Sequence, residues 1–367
     1  MTRQRLRSLE IEIGSLPPGT LNAITDVPGL RVGHTSLVQG DGALKPGVGP
    51  VRTGVTAVLP HGGNLFQEKV RAAVYTINGF GKVAGFEQVR ELGLLESPIA
   101  LTNTLNVGLV MDALISDAIR QNPEIGISTM GTINVVVGET NDGFLNDIQG
   151  RHVKAEHVRA AIQNASTGPV VEGAVGAGTG TCCLGWKGGI GSASRVLPDR
   201  LGAITLGVLV QSNFGRATDL VIAGVPVGKH LIPPLKSLKP DTAGGSIMVV
   251  LATDAPLSAR QLERLCRRVS LGLGRVGSQL SHGSGDFVIA FSTASRIAHN
   301  CDNGLDTMPV IANDAVLLDS MFRAVIESTE EAVLNSVCMA ETMVGRDGHI
   351  AHALPLDRVA ELVHRSR

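Results

Sequence analysis

The sequence predicts a layered α/β fold, in which buried sheet is covered by helices. Short apolar runs bounded by Gly, Pro or Asn recur along the chain, and several are apolar at consecutive positions, as in strands that are covered on both faces. Between them lie longer segments with apolar residues at helical spacing. Hydrophobic residues make up 43% and charged residues 18% of the 367 residues, which is the composition of a globular protein.

The predicted elements follow the chain in order. Apolar runs predict strands at residues 54–59, 133–137, 203–210, 247–252 and 287–291. Helical spacing predicts helices at residues 107–120, 258–271 and 321–341. Ser258 stands where the second helix would begin and is a suitable N-cap.

Two segments rich in Gly and Pro, residues 36–53 and 223–245, are expected to be exposed connections. The chain contains no internal repeat and no low-complexity tract. Nothing in its composition marks a boundary between domains. We therefore expect a single domain over residues 1–367.

The composition argues against several classes of partner. The formal net charge is -1 and aromatic residues are only 3%, so neither a phosphate-binding surface nor a base-stacking platform for nucleic acid is indicated. No apolar run is long enough to span a membrane, and the charged residues 1–12 do not form a signal peptide, which favours the cytoplasm. The five cysteines include no CxxC pair, so neither a disulfide framework nor a metal site is expected.

The junction between Gly245 and Ser246 is a candidate for self-cleavage. A proline-containing loop runs into two glycines and a hydroxyl residue, and an apolar strand follows at once. The Ser246 hydroxyl can attack the preceding carbonyl, and cleavage would free an α-amino group with an ordinary pKa of about 7.7–8.0. Such an amine can act as the base for its own hydroxyl. The alternative is a structural turn before a strand.

A second candidate is the segment of residues 281–286, which leads into the predicted strand 287–291. If it is already extended, Ser284 and Asp286 project from the same face, because side chains alternate along a strand. A carboxylate beside a hydroxyl can orient a nucleophile. His282 is the alternative base of a Ser-His-Asp arrangement, and a simple turn at the end of the loop is the structural alternative.

Two further polar residues follow predicted strands. Asn213 lies three residues after the strand 203–210, where its amide can donate to the oxyanion that develops in acyl transfer. Glu139 follows the strand 133–137, where a carboxylate can hold the ammonium of a substrate. The structural alternatives are a turn-forming Asn before Gly215 and a solvated loop acid.

The most glycine-dense stretch, residues 173–191, invites comparison with a nucleotide-binding loop. It contains G-x-G-x-G but not the G-x-G-x-x-G spacing, and no helical pattern follows to receive a pyrophosphate. Closely packed backbone near an active site is the better interpretation. A nucleotide-binding protein would instead be stabilised thermally by nucleotides.

Together these segments resemble the family of the L-aminopeptidase D-amidase/D-esterase and the β-peptidyl aminopeptidases. The resemblance covers most of the chain in seven blocks that occur in the family's order. The blocks are ITDVPGLRVGH, GVTAVLPHGGNLFQEK, PIALTNTLNVG, GETNDGFLND, GAVGAGTGT, GSIMVVLATDAPL and GSGDFVIAFST. Each block alone is a weak signal, whereas the ordered set is specific.

The resemblance implies an α-β-β-α sandwich similar to N-terminal nucleophile hydrolases but with different connectivity. It implies a precursor that splits into residues 1–245 and 246–367, and processed pairs that assemble as a homo-oligomer. Carried over by motif, Ser246 is the nucleophile, Ser284 hydrogen-bonds to it, Asp286 supports Ser284, and Asn213 lies in the oxyanion hole. The implied substrates are small peptides, amides or esters with a free amino terminus, and no metal or organic cofactor is implied.

The chain departs from the family pattern at two positions. Phe144 stands where the compared members carry a hydroxylated aromatic, so any hydrogen bond from that hydroxyl to the substrate or oxyanion is absent. Asp286 stands where some members use Glu, which shortens the reach of the carboxylate.

Two other functions remain compatible with the same resemblance. One is an acyltransferase of the ornithine acetyltransferase type, which an added amine acceptor would reveal. The other is a catalytically silent binding homologue, which would bind small molecules without self-processing.

Overall fold

The structure of the chain is a computed structural model, which describes residues 3–127, 131–234, 245–301, 304–305, 307–312 and 315–366. The α-helices in these ranges are α1 (Phe86–Leu92), α2 (Val107–Gln121), α3 (Ala155–Gln163), α4 (Ala259–Cys266), α5 (Val269–Arg275), α6 (Ala315–Cys338) and α7 (Leu356–Arg365). The strands are β1 (Arg31–Gln39), β2 (Val51–Leu59), β3 (Glu68–Gly79), β4 (Leu94–Leu95), β5 (Ile99–Asn103), β6 (Val136–Thr140), β7 (Cys182–Cys183), β8 (Trp186–Lys187), β9 (Ile190–Val196), β10 (Thr205–Asn213), β11 (Ser246–Thr253), β12 (Gly285–Ala298), β13 (Met343–Val344) and β14 (Ile350–Ala351).

The longer strands form two sheets. One has the order β1-β2-β5-β6 and the other the order β4-β3-β12-β11-β10-β9. Strand β5 runs parallel to β6, and β11 runs parallel to β12, whereas the other neighbours in these sheets are antiparallel. The parallel pairs matter for the site, because the amino-terminal ends of β11 and β12 lie side by side.

The sheets and helices stack in four layers with an apolar core between each pair. Ala57 of β2 packs with α2 and α3, whereas the next residue, Val58, faces the second sheet. In β11, Val249 faces the layer that contains α4, α5 and α6, and Val250 faces the first sheet. All eight residues of β11 are buried, as expected of a strand that is covered on both faces. The predicted layered α/β fold and its α-β-β-α arrangement are confirmed.

The predicted strand 133–137 is shifted towards the C-terminus. Asn134 gives its N–H to the Glu96 carboxylate at 2.7 Å and its Nδ2 to the Gly85 carbonyl, so it does not join a ladder. Pairing with β5 begins at Val136 and continues to Thr140. The strand therefore includes Glu139, which the sequence placed after it.

The other predicted elements differ mainly at their ends. The helix expected at 258–271 is two helices, α4 and α5, and Ser258 caps the first by accepting from the Gln261 N–H. The helix expected at 321–341 begins and ends earlier, as α6. The connection expected at 36–53 is shorter, because β1 and β2 extend into it and leave residues 40–50 between them. Residues 235–244 of the second connection lie outside the described residues.

A buried ionic cluster ties the amino-terminal segment to the second sheet and to α6. Arg195 of β9 is fully buried, with Nε 3.1 Å from a Glu327 oxygen and Nη2 2.7 Å from a Glu331 oxygen. The other Glu331 oxygen accepts from Arg7 at 2.8 Å. Within the part of the chain that the structure describes, no helix is long and apolar enough to cross a membrane.

Candidate active site

Ser246 lies where three strand ends meet. It is the first residue of β11, where it pairs with Asn213 at the end of β10 and with Gly285 at the start of β12. The serine is only 4% exposed. Its Oγ accepts a hydrogen bond from the Asn141 N–H at 3.3 Å, and Asn141 directly follows β6 in the other sheet. The candidate nucleophile therefore lies between the two sheets, at one edge of the sandwich.

Ser284 and Asp286 lie beside each other, as the alternation of a strand predicts. The Ser284 hydroxyl donates to Oδ1 of Asp286 at 2.7 Å, and both residues are buried. Oδ2 of Asp286 has no hydrogen-bond partner among the residues that the structure describes. Burial raises the pKa of Asp286 to about 6, although the hydrogen bond from Ser284 opposes the shift. In this continuous chain the Ser284 hydroxyl is thus directed to Asp286 rather than to Ser246.

Gly245 has close neighbours on both sides. Its carbonyl oxygen accepts from the Gly285 N–H at 3.2 Å. A Cβ on Gly245 would lie 3.0 Å from the Phe214 Cβ and 3.3 Å from the Ser284 Oγ, which leaves little room for a side chain. The Ser284 hydroxyl is therefore next to the Gly245–Ser246 bond. Gly244, the other glycine of the predicted junction, lies outside the described residues.

The Asn213 side chain is held at both ends. Its Oδ1 accepts from the Cys182 N–H at 3.0 Å, and its Nδ2 donates to the Asn141 carbonyl at 2.8 Å. Because Nδ2 carries two hydrogens, the bond to Asn141 leaves one of them for another oxygen. The amide of Asn213 and the N–H of Asn141 are both donors beside Ser246.

Glu139 is a buried strand residue, not a solvated loop acid. One carboxylate oxygen accepts from the Lys82 N–H at 2.9 Å, and the other accepts from the Thr104 hydroxyl. Burial raises the pKa of Glu139, and these two hydrogen bonds oppose the shift. The segment of residues 80–82 links it to the serines, because the Phe80 N–H donates to the Ser284 carbonyl at 3.3 Å. Glu139 also lies two residues before Asn141, which contacts Ser246.

The remaining candidates are placed differently. Phe144, in the loop after β6, stacks on His349 with ring centroids 4.6 Å apart and an interplanar angle of 7°, and its carbonyl contacts the His349 Nδ1 at 2.7 Å. His282 is exposed, with its ring 6.3 Å from that of Phe80. No hydrogen bond joins His282 to Ser246 or Asp286 among the described residues, so the arrangement of a Ser-His-Asp triad is not formed.

The glycine-dense stretch 173–191 is closely packed backbone. A Cβ on Gly178 would lie 2.5 Å from the Ile190 nitrogen, and one on Gly180 would lie 2.0 Å from the Arg52 carbonyl. Residues 176–178 form one turn of 3-10 helix, too short to serve as a phosphate-binding helix. The stretch also contains Cys182, whose N–H donates to the side chain of Asn213.

Sequence reasoning missed two residues of this neighbourhood. Asn141 contacts Ser246 and Asn213 through its backbone N–H and carbonyl, and no side-chain pattern signals such contacts. Lys187 lies within the glycine-dense stretch and is fully buried, and a lone lysine in a run of Gly, Cys, Leu and Trp was the available signal. Across the described ranges, no group of three or more His, Cys, Asp or Glu side chains is arranged to hold a metal ion.

Comparisons with known proteins bear on the whole chain. The model of Peptidase family S58 matches residues 22–351. The chain is 41% identical over 367 residues to beta-peptidyl aminopeptidase BapA of Sphingosinicella microcystinivorans. The match covers 95% of this chain and 89% of that protein.

Solved structures agree with these sequence matches. The PH0078 protein from Pyrococcus horikoshii OT3 superposes with a TM-score of 0.92 at 46% identity, over 99% of both chains. The L-aminopeptidase D-Ala-esterase/amidase from Ochrobactrum anthropi superposes with a TM-score of 0.89 at 36% identity, over 99% of this chain and 98% of that one. That enzyme is described as a prototype for the serine aminopeptidases and as a new variant among the Ntn hydrolase fold.

Proposed function

Because the chain belongs to peptidase family S58 and is a hydrolase of the aminopeptidase type, we propose that it cuts itself before Ser246 and then uses that serine as its nucleophile. The observation that carries the proposal is the position of Ser246. It is a buried hydroxyl at the start of β11, directly after a glycine. It accepts from the Asn141 N–H and pairs across the sheet with Asn213, whose Nδ2 donates to the Asn141 carbonyl. A serine with only a structural role in a turn would not need this set of donors.

For self-cleavage, we propose that the Ser246 Oγ attacks the carbonyl carbon of Gly245. The peptide bond breaks as the ester forms, and the hydroxyl proton passes to the nitrogen that becomes the Ser246 amine. Water then hydrolyses the ester and leaves a carboxylate on Gly245. The Gly285 N–H, 3.2 Å from the Gly245 oxygen, supports this step because it can stabilise negative charge on that oxygen.

For substrate hydrolysis, we propose that the free α-amine of Ser246 takes the proton from its own hydroxyl as the hydroxyl attacks the substrate carbonyl. The oxyanion is held by Nδ2 of Asn213 and by the N–H of Asn141. Ser284 hydrogen-bonds to the nucleophile, and Asp286 orients Ser284. The leaving amine departs with a proton, and water releases the acyl group from the serine.

We propose that Glu139 holds the ammonium of the substrate. It is a buried carboxylate of β6 that lies two residues before Asn141, and its pKa is raised by burial, so a positive partner would stabilise its charged form. The substrates would then be small peptides, amides or esters with a free amino terminus. An N-acetylated substrate should not be hydrolysed, and its turnover at the rate of the free amine would contradict the role of Glu139.

The assembly and location of the enzyme are proposals that rest on the family resemblance and the composition. We propose a homo-oligomer of processed pairs in the cytoplasm, without a cofactor. Light scattering of the purified protein should give a mass of at least two processed pairs, each of 38.2 kDa. A mass equal to one processed pair would contradict the oligomer.

The decisive experiment is the intact mass of the purified protein under denaturing conditions. We expect two fragments of roughly 25 and 13 kDa, with the smaller beginning at Ser246. The Ser246→Ala variant should stay as one 38.2 kDa chain, keep its thermal midpoint and hydrolyse nothing. The matched control is Ser281→Ala, which removes an exposed hydroxyl from the loop before Ser284 and should be processed normally. Processing or activity in Ser246→Ala would overturn the proposal.

A further inference from the structure

Lys187 is a buried cation that the mechanism above does not use. It is fully buried at the end of β8, and its ammonium donates to the carbonyls of Gly178, Thr181 and Gly188 at 3.0, 2.8 and 2.7 Å. A protonated lysine has three donors and no acceptor, so the three carbonyls satisfy it completely. A neutral amine would leave one of them without this donor.

A chain of hydrogen bonds runs from this ammonium to the proposed oxyanion donor. The Thr181 carbonyl and the Cys182 N–H belong to one peptide group. That N–H donates to Oδ1 of Asn213 at 3.0 Å, and Nδ2 of Asn213 is the other end of the same side-chain amide. When the oxygen of an amide accepts a strong hydrogen bond, its N–H becomes a better donor, and such polarisation adds along a chain.

The hairpin formed by β7 and β8 holds this chain in place. Cys182 pairs with Lys187, and the two turn residues, Leu184 and Gly185, have φ values of 49° and 76°, as in a two-residue hairpin turn. The Leu184 N–H donates to the Phe214 carbonyl at 2.6 Å, directly after Asn213. The hairpin that carries Lys187 is therefore hydrogen-bonded both to Asn213, through Cys182, and to Phe214, through Leu184.

We propose that Lys187 is a positioning residue of the active site, whose ammonium acts through the Thr181–Cys182 peptide to orient and polarise the side-chain amide of Asn213. The proposal rests on the proposed role of Asn213 in hydrolysis. Its consequence is that Nδ2 of Asn213 stabilises the oxyanion better than an isolated amide would.

The surroundings of Lys187 support a charged state at neutral pH. Burial lowers the pKa of Lys187 to about 8, and the titratable groups that face it, Cys182, Asp142 and Cys183, raise it. Burial raises the pKa of Asp142 to about 7 and that of Cys183 to about 12. The lysine thus keeps its proton below about pH 8, where the relay to Asn213 is complete.

A double-mutant cycle tests the proposal. Lys187→Met, Asn213→Ala and the double variant are compared with the wild type in fully processed protein. Lys187→Met should lower kcat roughly threefold to tenfold and leave KM unchanged, because the oxyanion forms only during reaction. In the Asn213→Ala background the same change should have little further effect, because the group through which Lys187 acts is gone.

The matched control is Lys69→Met. Lys69 is also buried, but it pairs with Glu96 near the start of β3, whereas the other end of β3 pairs with Gly285 beside the site. This variant should lower the stability and leave kcat unchanged. The role of Lys187 would be overturned if Lys187→Met lowered kcat equally in both backgrounds. It would also be overturned if the variant raised KM in place of lowering kcat. A normal kcat in Asn213→Ala would instead overturn the role of Asn213.

A second variant and a pH profile test the same proposal if the Lys187→Met protein does not fold. Lys187→Gln keeps two N–H donors for the carbonyls but not the charge, and it should show the same dependence on Asn213. In the unmodified Lys187 protein, kcat should fall in a one-proton step above about pH 8, and Asn213→Ala should lack that step. An identical alkaline step in both proteins would contradict the relay.

Discussion

The carboxyl of Asp286 shows how burial sets the chemistry of a single residue. It has one hydrogen bond, from Ser284, and its second oxygen has no partner among the described residues. A buried carboxylate loses hydration, and one donor replaces only part of it, so the pKa of Asp286 rises from 3.8 to about 6. Asp286 is therefore ionised at neutral pH but loses its charge within a mildly acidic range.

We predict an acid limb in the pH profile that belongs to Asp286. Because its pKa is raised, protonation occurs as the pH falls through about 6, and kcat should fall with it, since a protonated Asp286 no longer orients the Ser284 hydroxyl. Asp286→Asn should lower kcat roughly tenfold to a hundredfold at neutral pH and remove that limb.

Asp254→Asn is the control for the acid limb. Burial also raises the pKa of Asp254, but this residue follows β11 at the end away from Ser246 and accepts from the Thr205 N–H. Its replacement should leave the limb in place. An acid limb that persists in Asp286→Asn would assign the titration to another group.

The ends of β10, β11 and β12 bring Asn213, Ser246 and Gly285 together at one edge of the sheet. At the opposite end of β11, the chain turns into α4 through a reciprocal cap between Ser258 and Gln261. The site and the cap lie at the two ends of the same strand, so they can be tested separately.

Ser258→Ala should lower the free energy of unfolding by about 1 kcal/mol, because it removes a side-chain bond to the first turn of α4. The kcat of the processed enzyme should not change. Urea unfolding in the Ser246→Ala background, which should remain one chain, gives the stability, and steady-state kinetics of the processed enzyme give kcat. Ser270→Ala, which removes an exposed hydroxyl in α5, is the control and should leave both quantities unchanged. A loss of kcat in Ser258→Ala would mean that α4 affects the site.

At the scale of the whole molecule, the two proposed fragments are interleaved. Strands β11 and β12 come from residues after the proposed cut, yet they lie in the second sheet between β3 and β10, which precede it. The fragments share that sheet on both sides, so they cannot separate unless it is disrupted. Cleavage would therefore create the α-amine of Ser246 while the two fragments stay folded together.

The ionic cluster around Arg195 should make a large contribution to the stability of the whole molecule. Arg195→Met leaves the carboxylates of Glu327 and Glu331 buried without their main cation, so the free energy of unfolding should fall by about 3–5 kcal/mol. Thermal or urea unfolding of the Ser246→Ala background, which should remain one chain, provides the measurement. The exposed pair of Arg358 and Glu361 is the control, and Arg358→Met should have little effect. A small effect of Arg195→Met would mean that water replaces the lost cation.

Much of the local structure could be predicted from the sequence. Consecutive apolar residues correctly indicated β11 as a strand buried on both faces, and a Ser after a Pro indicated the cap of α4 at Ser258. The ordered blocks indicated the family and the sandwich. These features depend on residues close in the chain, or on patterns repeated along it, so the sequence alone contains them.

Other features were decided by the tertiary structure. The Asn141 N–H meets the Ser246 hydroxyl across 105 residues of sequence. Strand β6 begins at Val136 because Asn134 bonds to Glu96 and Gly85 instead of joining the ladder with β5. The link from Lys187 to Asn213 passes through a backbone peptide and carries no side-chain motif. The sequence by itself determined the layers, the family and the candidate residues. The partners of those residues depend on which backbone groups two packed sheets bring together, and that is decided only when the chain folds.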